Sequence, residues 1–264
     1  MNMDLQPVYD VPALKADHAL VIGDLHIGVE SHLMAKGFHL TSHTSDMYNA
    51  ILDSADDDVN RLIVIGDVKD SVPGSTKQEY REIPDFFEKL FDRFDIIDVV
   101  RGNHDTMIEE FLPERVRIHP VTGMRIDDVG FIHGHTWPSQ EVMGCDTLVM
   151  AHNHPAVMFR DGVGRQMVEP CWFRGTFCRD SDDRYPQLPS RFIVIPAFNR
   201  MLGGSPVNVL DEELLGPVLN SDLLDLDNAR LYLLDGIDLG KRSDLMIRGR
   251  ESRFKTGTRR GPRQ

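Results

Sequence analysis

Five short apolar runs that end at Asp, Asn or His constrain the fold of this chain more than any other feature of its sequence. The runs are rich in β-branched residues and lie at residues 18–23, 61–66, 95–100, 130–134 and 147–151. Segments of this length and composition are typical of buried β-strands. Open α/β sheets bind their ligands beyond the carboxyl ends of the strands. The polar residues at the ends of the runs therefore predict a functional site at one edge of a sheet.

The segments between and after these runs predict helices and a second sheet. Residues 77–93 place apolar residues at helical intervals, with charged residues on the other face, and residues 30–55 fit helical spacing in part. Strands that alternate with helices predict an α/β layered fold. Three further strand-like runs are expected to extend the same core as a second sheet, because no linker-like composition separates them. They lie at residues 191–198, 205–210 and 229–234.

The charge is unevenly distributed along the chain. The formal net charge is -13, but residues 241–264 hold nine basic and two acidic residues, which leaves 20 basic and 40 acidic residues in the first 240. We expect residues 1–240 to form one domain. We expect residues 241–264 to form a basic, disordered tail, because this end has a single aromatic residue and no periodicity.

The composition also bears on location and partners. Asp outnumbers Glu by 30 to 12 and Arg outnumbers Lys by 22 to 7, a balance that resembles salt-adapted (halophilic) proteins, with an ordinary acidic enzyme as the alternative. An acidic body does not attract nucleic acid. The chain has no apolar run long enough to span a membrane, and its start lacks the layout of a signal peptide. We therefore expect a cytoplasmic protein without a membrane segment.

The residues at the ends of the five runs suit metal-assisted hydrolysis. They are Asp24 and His26, then Asp67, then Asn103, His104 and Asp105, then His133 and His135, and finally His152 and His154. Imidazole, carboxylate and amide groups together suit a pair of first-row transition-metal ions. Two such ions can make a nucleophile from water and relieve charge on a phosphate ester. Each motif alone could be a cap, a turn or a satisfied histidine, but five of them at strand ends favour a site.

The motifs GDLHIG, GDVKD, GNHD, HGH and AHNH resemble the five sequence blocks of the calcineurin-like metallophosphoesterases, over roughly residues 18–155. Residues 170–177 and 195–208 are similar to an archaeal subgroup of these enzymes that is related to the bacterial ligase-associated members. The resemblance implies a four-layer sandwich in which helices flank two β-sheets. It also implies hydrolysis of a phosphate ester, with a phosphodiester in a nucleotide or nucleic acid favoured.

The resemblance also implies roles for individual residues. One metal ion would be held by Asp24, His26, Asp67 and His154. The other would be held by Asp67, Asn103, His133 and His152, which makes Asp67 the bridge. Manganese is the expected metal, with Fe, Zn, Ni and Mg as alternatives, and a hydroxide that bridges the two ions would attack the phosphorus. His104 would be a general acid or phosphoryl stabiliser, and Asp105 would orient its ring.

Other classes of protein are less consistent with these residues. A catalytically silent metal-binding scaffold for protein interaction is the main alternative, but all seven ligand positions and His104 are present. A dinucleotide-binding domain would need a glycine-rich loop after the first strand, and GDLHIG is not one.

Four residues near the motifs have less certain roles. Lys69 is expected to be a solvated loop lysine, with a substrate contact as the alternative, and Asp70 either supports the site or caps a loop. His135 could contact substrate or be structural. Trp172 is expected in the core.

Overall fold

The computed structural model describes residues 3–38, 40–210 and 212–248. Its first sheet has six strands in sequence order, joined antiparallel at β1–β2–β3 and parallel from β3 to β6. The strands are β1 (Leu5–Pro7), β2 (Leu14–Ala16), β3 (Ala19–Ile22), β4 (Arg61–Ile65), β5 (Ile96–Val100) and β6 (Arg117–His119).

The second sheet has nine strands and mixed polarity. Its members are β7 (Met124–Ile126), β8 (Val129–Ile132), β9 (Thr147–Met150), β10 (Pro155–Arg160), β11 (Gln166–Thr176), β12 (Arg191–Val194), β13 (Ser205–Pro206), β15 (Arg230–Leu233) and β16 (Asp238–Lys241). Strands β8, β9 and β12 are parallel, and β10 and β11 form an antiparallel hairpin. A separate pair joins β14 (Val209–Leu210) to β17 (Ile247–Arg248).

The helices are short except for α3. They are α1 (Val29–Ala35), α2 (Thr44–Ser54), α3 (Lys77–Leu90), α4 (Gln140–Met143) and α5 (Arg242–Leu245), with one 3₁₀ turn at Ile108–Glu110. A capping box begins α3, because Thr76 and Glu79 each accept a hydrogen bond from the backbone N–H of the other. This box fixes the start of the helix that covers the first sheet.

The core has three apolar layers, which the alternation of side chains along the strands produces. Leu20 and Ile22 of β3 pack in the layer that holds the apolar faces of α2 and α3. Val21 lies in the layer between the two sheets, together with Phe131 and Trp172. The outer face of the second sheet packs against α4 and the mostly irregular segment 214–224. The expected four-layer sandwich is therefore confirmed, although loops form most of its fourth layer.

The motif-bearing runs form strands β3, β4, β5, β8 and β9, as predicted. Residues 30–55 form two helices instead of one segment, because Gly37 adopts a φ of 91° and the amides of Gly37 and Phe38 close a helix-ending turn onto Met34 and Leu33. The sequence analysis missed the β1–β2 pair and the β10–β11 hairpin.

The predicted basic tail begins too early. Residues 241–248 contribute the end of β16, helix α5 and strand β17, so this part of the predicted tail has regular structure. The remainder, residues 249–264, lies outside the described residues. Within the part of the chain that is described, no helix has the length and apolar character that crossing a bilayer requires.

Candidate metal centre

The five motifs meet at one edge of the two sheets because each follows the carboxyl end of a strand. In the first sheet, β3, β4 and β5 are parallel neighbours and place Asp24, Asp67 and Asn103 side by side. In the second sheet, β8 and β9 are parallel neighbours and place His133 beside His152. The packing of one sheet on the other brings the two sets together.

Three overlapping groups of donor atoms result. Within each group the donor atoms lie within 4.8 Å of one another. The groups are Asp24 with His26 and His154, then His26 with Asp67 and His104, and finally Asp67 with His133 and His152. Asp67 and His26 each belong to two of them. Of these two residues only Asp67 has a pair of oxygens with which to bind two ions, so its carboxylate is placed where two closely spaced ions would share a ligand.

Most of the short distances between candidate ligand atoms involve the carboxylates of Asp67 and Asp24. Asp67 Oδ2 lies 3.2 Å from His133 Nε2 and 3.5 Å from His26 Nε2. Asp24 Oδ1 lies 3.3 Å from His154 Nε2. The amide oxygen of Asn103 lies 3.1 Å from His133 Nε2. All seven predicted ligand residues are thus brought to one place.

Two of these donor atoms fit a metal ion better than a hydrogen-bonded core. Asp24 Oδ1 and His26 Nε2 are buried, and neither makes a hydrogen bond to any residue that the structure describes. Buried polar atoms are normally paired, since an unpaired one costs about 1–3 kcal/mol. A cation bound between them would satisfy both, so the donor set fits a metal site.

The backbone is strained where the ligands lie. Positive φ angles occur at Asp24 (57°), His26 (40°), Asp67 (50°), His152 (65°) and His154 (45°). A non-glycine residue in this region costs on the order of 1–3 kcal/mol, and such residues concentrate at functional sites. Five of the nine described non-glycine residues with positive φ are thus candidate ligands, which indicates that the motif loops are bent to aim these side chains.

Two glycines allow the motif loops to approach one another. A Cβ on Gly66, whose φ is +88°, would lie 2.3 Å from His133 Nδ1. A Cβ on Gly102 would lie 2.1 Å from Asp67 Oδ1. Both distances are far inside van der Waals contact, so any side chain at either position would displace a candidate ligand.

Further hydrogen bonds hold the ligands in place. Asp70 Oδ1 lies 3.2 Å from His26 Nδ1, and the carbonyl of Ile65 lies 3.0 Å from His133 Nδ1. The backbone N–H of His152 donates to Asp24 Oδ2 at 3.2 Å. Contacts of this kind fix the ring orientation of metal-binding histidines and leave Nε2 directed at the ion. Asp70 therefore supports the site through His26.

The pKa shifts place two candidate ligands, Asp67 and His152, in the protonation states that metal binding needs. Burial would raise the pKa of Asp67, but His133 and His26 beside it hold that pKa well below its usual value. Burial lowers the pKa of His152 to about 4, helped by the nearby His133, and burial also lowers the pKa of His135 to about 4. At neutral pH, Asp67 is ionised and the candidate ligand His152 is neutral, as metal ligands must be. Burial would lower the pKa of His133, but Asp67 and Asp24 raise it to about 9, so this ring must release a proton when a metal ion binds.

A family model described as calcineurin-like phosphoesterase matches residues 18–175, which is more than half of the chain. The chain belongs to the calcineurin-like phosphoesterase family. The matched range contains all five motifs and both halves of the candidate centre. No curated protein shows a significant match to the sequence, and the archaeal subgroup stays a prediction.

Solved structures are similar to this family member at low identity. Nuclease MPE of Pseudomonas putida is 16% identical with a TM-score of 0.51, over 88% of this chain and 96% of that one. The E. coli phosphoesterase Yfce is 17% identical with a TM-score of 0.34, over 55% and 74%. A Vps29 double mutant of Entamoeba histolytica is 18% identical with a TM-score of 0.26, over 57% and 71%. The similarity to nuclease MPE supports the fold of the whole calcineurin-like chain.

The predicted contact between Asp105 and the His104 ring is wrong. Asp105 accepts hydrogen bonds from the backbone N–H groups of Val68 and Gly102, both at 2.8 Å. It therefore ties two motif loops of this phosphoesterase together. The His104 ring is held instead by the carbonyl of Asp70, which lies 2.6 Å from Nδ1.

Lys69 also differs from its prediction, whereas Trp172 does not. Lys69 is only 1% exposed, and its Nζ donates to the carbonyls of Ser71 (2.5 Å) and Gly74 (2.9 Å). It therefore braces the loop after β4 and is not solvated. Trp172 is buried between the sheets, as expected.

The sequence analysis assigned no role to Asn199, which supports the first motif from a distant part of the chain. Its Nδ2 donates to the carbonyl of Leu25 at 2.8 Å, and its backbone N–H donates to the carbonyl of Asp24 at 3.3 Å. Asn199 is buried, and 174 positions separate it from Leu25. No local pattern signals a contact at this separation.

Proposed function

We propose that this calcineurin-like phosphoesterase is an enzyme that uses two divalent metal ions to hydrolyse a phosphodiester in a nucleotide or nucleic acid. The observation that carries the proposal is the position of Asp67, whose carboxylate belongs to two of the three donor groups. A residue shared in this way is what a pair of ions about 3.5–4 Å apart requires.

The proposed ligand sets are those that the family resemblance implies, and the grouping of the donor atoms supports them. Asp24, His26, Asp67 and His154 would hold one ion, and Asp67, Asn103, His133 and His152 would hold the other. Each set combines two imidazole nitrogens with carboxylate oxygen, and the second set also has the amide oxygen of Asn103. Such mixed ligands suit Mn, Fe or Zn better than Mg, which prefers oxygen ligands alone. We propose manganese as the first metal to test.

The metal pair, when bound, supplies a hydroxide nucleophile at neutral pH and neutralises charge on the phosphoryl oxygens. The protein contributes the rigid placement of the ligands. The ligands follow strand ends, several have strained backbone, and the Asp70 and Ile65 acceptors hold two of their rings. The ligand geometry is therefore fixed before substrate binds, and the site reorganises little during the reaction.

His104 is positioned to act on the substrate. The Asp70 carbonyl can only accept a hydrogen bond, so it holds the hydrogen-bearing form of Nδ1. This leaves Nε2, which lies 4.0 Å from Asp67 Oδ2, at the centre. A protonated Nε2 there can donate to a phosphoryl oxygen or to the departing oxygen, and a positioned proton donor contributes typically 10²–10⁴-fold to the rate.

The test is hydrolysis of bis-p-nitrophenyl phosphate and p-nitrophenyl phosphate by metal-stripped protein reloaded with Mn²⁺. The diester should be cleaved only when metal is restored, and Asp67→Asn should abolish turnover. Asp85→Asn, which changes an exposed carboxylate on α3, is the matched control and should turn over like the wild type. Bound metal without turnover of either ester would favour the silent scaffold instead.

A further inference from the structure

Two cavities share one arginine, and one of them reaches the candidate centre. The first, which we call the His154 cavity, has a volume of about 710 Å³, and its lining includes His154, Pro170, Gly204 and Arg200. The second, the His43 cavity, has a volume of about 550 Å³ and is lined mainly by apolar side chains such as Met47 and Phe198. Pro12, Asn199 and Arg200 line both cavities. The two cavities are therefore neighbours at Arg200, and a candidate metal ligand, His154, lines the first.

Arg200 is fixed close to the centre by its neighbour in the chain. The backbone N–H of Asn199 donates to the carbonyl of Asp24, and consecutive Cα atoms are 3.8 Å apart. Arg200 is therefore one residue away from a backbone contact with a candidate ligand. Its position depends on the same loop that supports the first motif.

The guanidinium of Arg200 is held but not neutralised. Its Nη2 donates to the backbone carbonyl of Asp10. In the part of the chain that the structure covers, Arg200 forms no ion pair with a carboxylate. Arg200 is also the single arginine or lysine among the residues that line either cavity, whose acidic residues are Asp10 and Glu169 in the first and Asp46 in the second. A tethered guanidinium with spare donors matches the paired oxygens of a phosphate group.

We propose that Arg200 is a specificity-determining residue that binds a second phosphate of the substrate. This second phosphate belongs to the substituent that is esterified to the phosphate under attack. The substituent would extend from the centre through the His154 cavity, place its phosphate on Arg200 and reach into the apolar His43 cavity. The inference rests on the proposed function and names its substrate class. This class is short phosphate esters that carry at least two phosphates.

The charge of the chain favours a short substrate over a duplex. The first 240 residues hold 40 acidic and 20 basic side chains, and a long nucleic acid would meet this charge along its whole length. A dinucleotide with a terminal phosphate or a dinucleoside polyphosphate would meet this charge over a shorter length, and Arg200 supplies the cation beside the acidic residues that line the cavities.

The first measurement compares kcat/KM of the Mn-loaded wild type, Arg200→Gln and Arg200→Lys. Four substrates separate the sources of the second phosphate: bis-p-nitrophenyl phosphate, thymidylyl-thymidine, its terminally phosphorylated form and diadenosine tetraphosphate. Arg200→Gln should lower kcat/KM by roughly ten- to a hundredfold for the last two, mainly through KM, and should leave the first two within about threefold. Arg200→Lys should restore part of the loss. Arg117→Gln, which removes an exposed arginine from the start of β6, is the matched charge control.

If Arg200→Gln lowers kcat/KM equally for all four substrates, or for none of them, the inference is overturned, while the proposed hydrolysis stands. If no substrate is hydrolysed, the proposed function fails, and calorimetry on the metal-free protein then decides the inference separately. Thymidine 3′,5′-bisphosphate should bind more tightly than thymidine 5′-monophosphate, and Arg200→Gln should remove the difference. Equal binding of the two nucleotides by the wild type, or the same preference in Arg200→Gln, would overturn the inference.

Discussion

At the scale of single residues, strand-end motifs predict which side chains meet, but not what each one touches. Asp24, Asp67 and His133 follow strands that the sequence signals clearly, so their convergence at one edge could be predicted. Asp105 and Lys69 could not be assigned in this way. Asp105 accepts hydrogen bonds from the backbone of two loops, and Lys69 donates to the backbone of its own loop. Such contacts depend on loop conformations that form only in the folded chain.

The Asp70–His26 contact yields a prediction at this scale. Asp70→Asn weakens the acceptor that fixes His26, so the Mn²⁺ affinity should fall by about 10–100-fold while the fold is retained. Fluorescence-monitored Mn²⁺ titration, with circular dichroism to check folding, measures the change. Asp46→Asn is the matched control, because Asp46 contacts His43 in a similar pair on the surface. An unchanged affinity in Asp70→Asn would show that the contact does not support the site.

At the scale of elements, the strands that carry the motifs were predictable because they are continuous apolar runs with clear ends. The hairpin of β10 and β11 was not, since β11 contains Pro170 and its residues 167–170 are exposed, which removes the apolar pattern of a buried strand. The three-residue strands β1 and β2 are too short to show any period. The break between α1 and α2 was signalled by Gly37, a residue that commonly ends helices.

The middle of β5 contains a buried charge that yields a pH prediction. Asp98 of β5 is fully buried and contacts Arg61 Nε at 2.7 Å and His119 Nε2 at 2.6 Å, on the two neighbouring strands. Burial would raise the pKa of Asp98, but these hydrogen bonds hold it below its ordinary value of 3.8. The ionised carboxylate therefore stabilises the folded state above that pH, and the stabilisation is lost as the pH falls through the lower pKa of the folded protein.

Asp98→Asn should lower the free energy of unfolding at pH 7 by about 1–3 kcal/mol, because the amide cannot accept from both partners as well as a carboxylate can. The difference from the wild type should persist down to about pH 4 and narrow below it. Urea unfolding at a series of pH values measures this difference. Asp85→Asn, whose pair with Lys89 is exposed, should show no such change. A difference that is constant down to pH 2.5 would contradict the assigned direction of the pKa shift.

At the scale of the whole molecule, the packing of two sheets joins motifs that no single sheet could assemble. The layer between the sheets buries Val21 and Ile63 from one against Phe131 and Val149 from the other. This packing brings the ends of β8 and β9 to the ends of β3 to β5. The family resemblance implied this arrangement, whereas the local pattern alone indicated only an α/β layered fold.

The acidic surface yields a prediction for the whole molecule. A net charge of -13 opposes the compact state through self-repulsion, and salt screens it, with a Debye length of about 8 Å at 0.15 M and about 3 Å at 1 M. The Tm should therefore rise by about 5–10 °C between 0.1 and 1 M KCl, which corresponds to a few kcal/mol for a domain of this size. Further KCl above 1 M should raise the Tm little more by this screening, because most of the charge repulsion is already screened at 1 M. A Tm that is flat or falls with KCl in a calorimetric scan would argue for an ordinary acidic enzyme.

The central claim is that Asp67 bridges two metal ions, and Mn²⁺ binding to the wild type and Asp67→Asn tests it most directly. Equilibrium dialysis gives the number of ions per chain, and electron paramagnetic resonance shows whether they are magnetically coupled. The account predicts two coupled ions in the wild type and at most one, uncoupled, in Asp67→Asn, with Asp85→Asn unchanged. Two coupled ions in Asp67→Asn, or a single ion in the wild type, would contradict it.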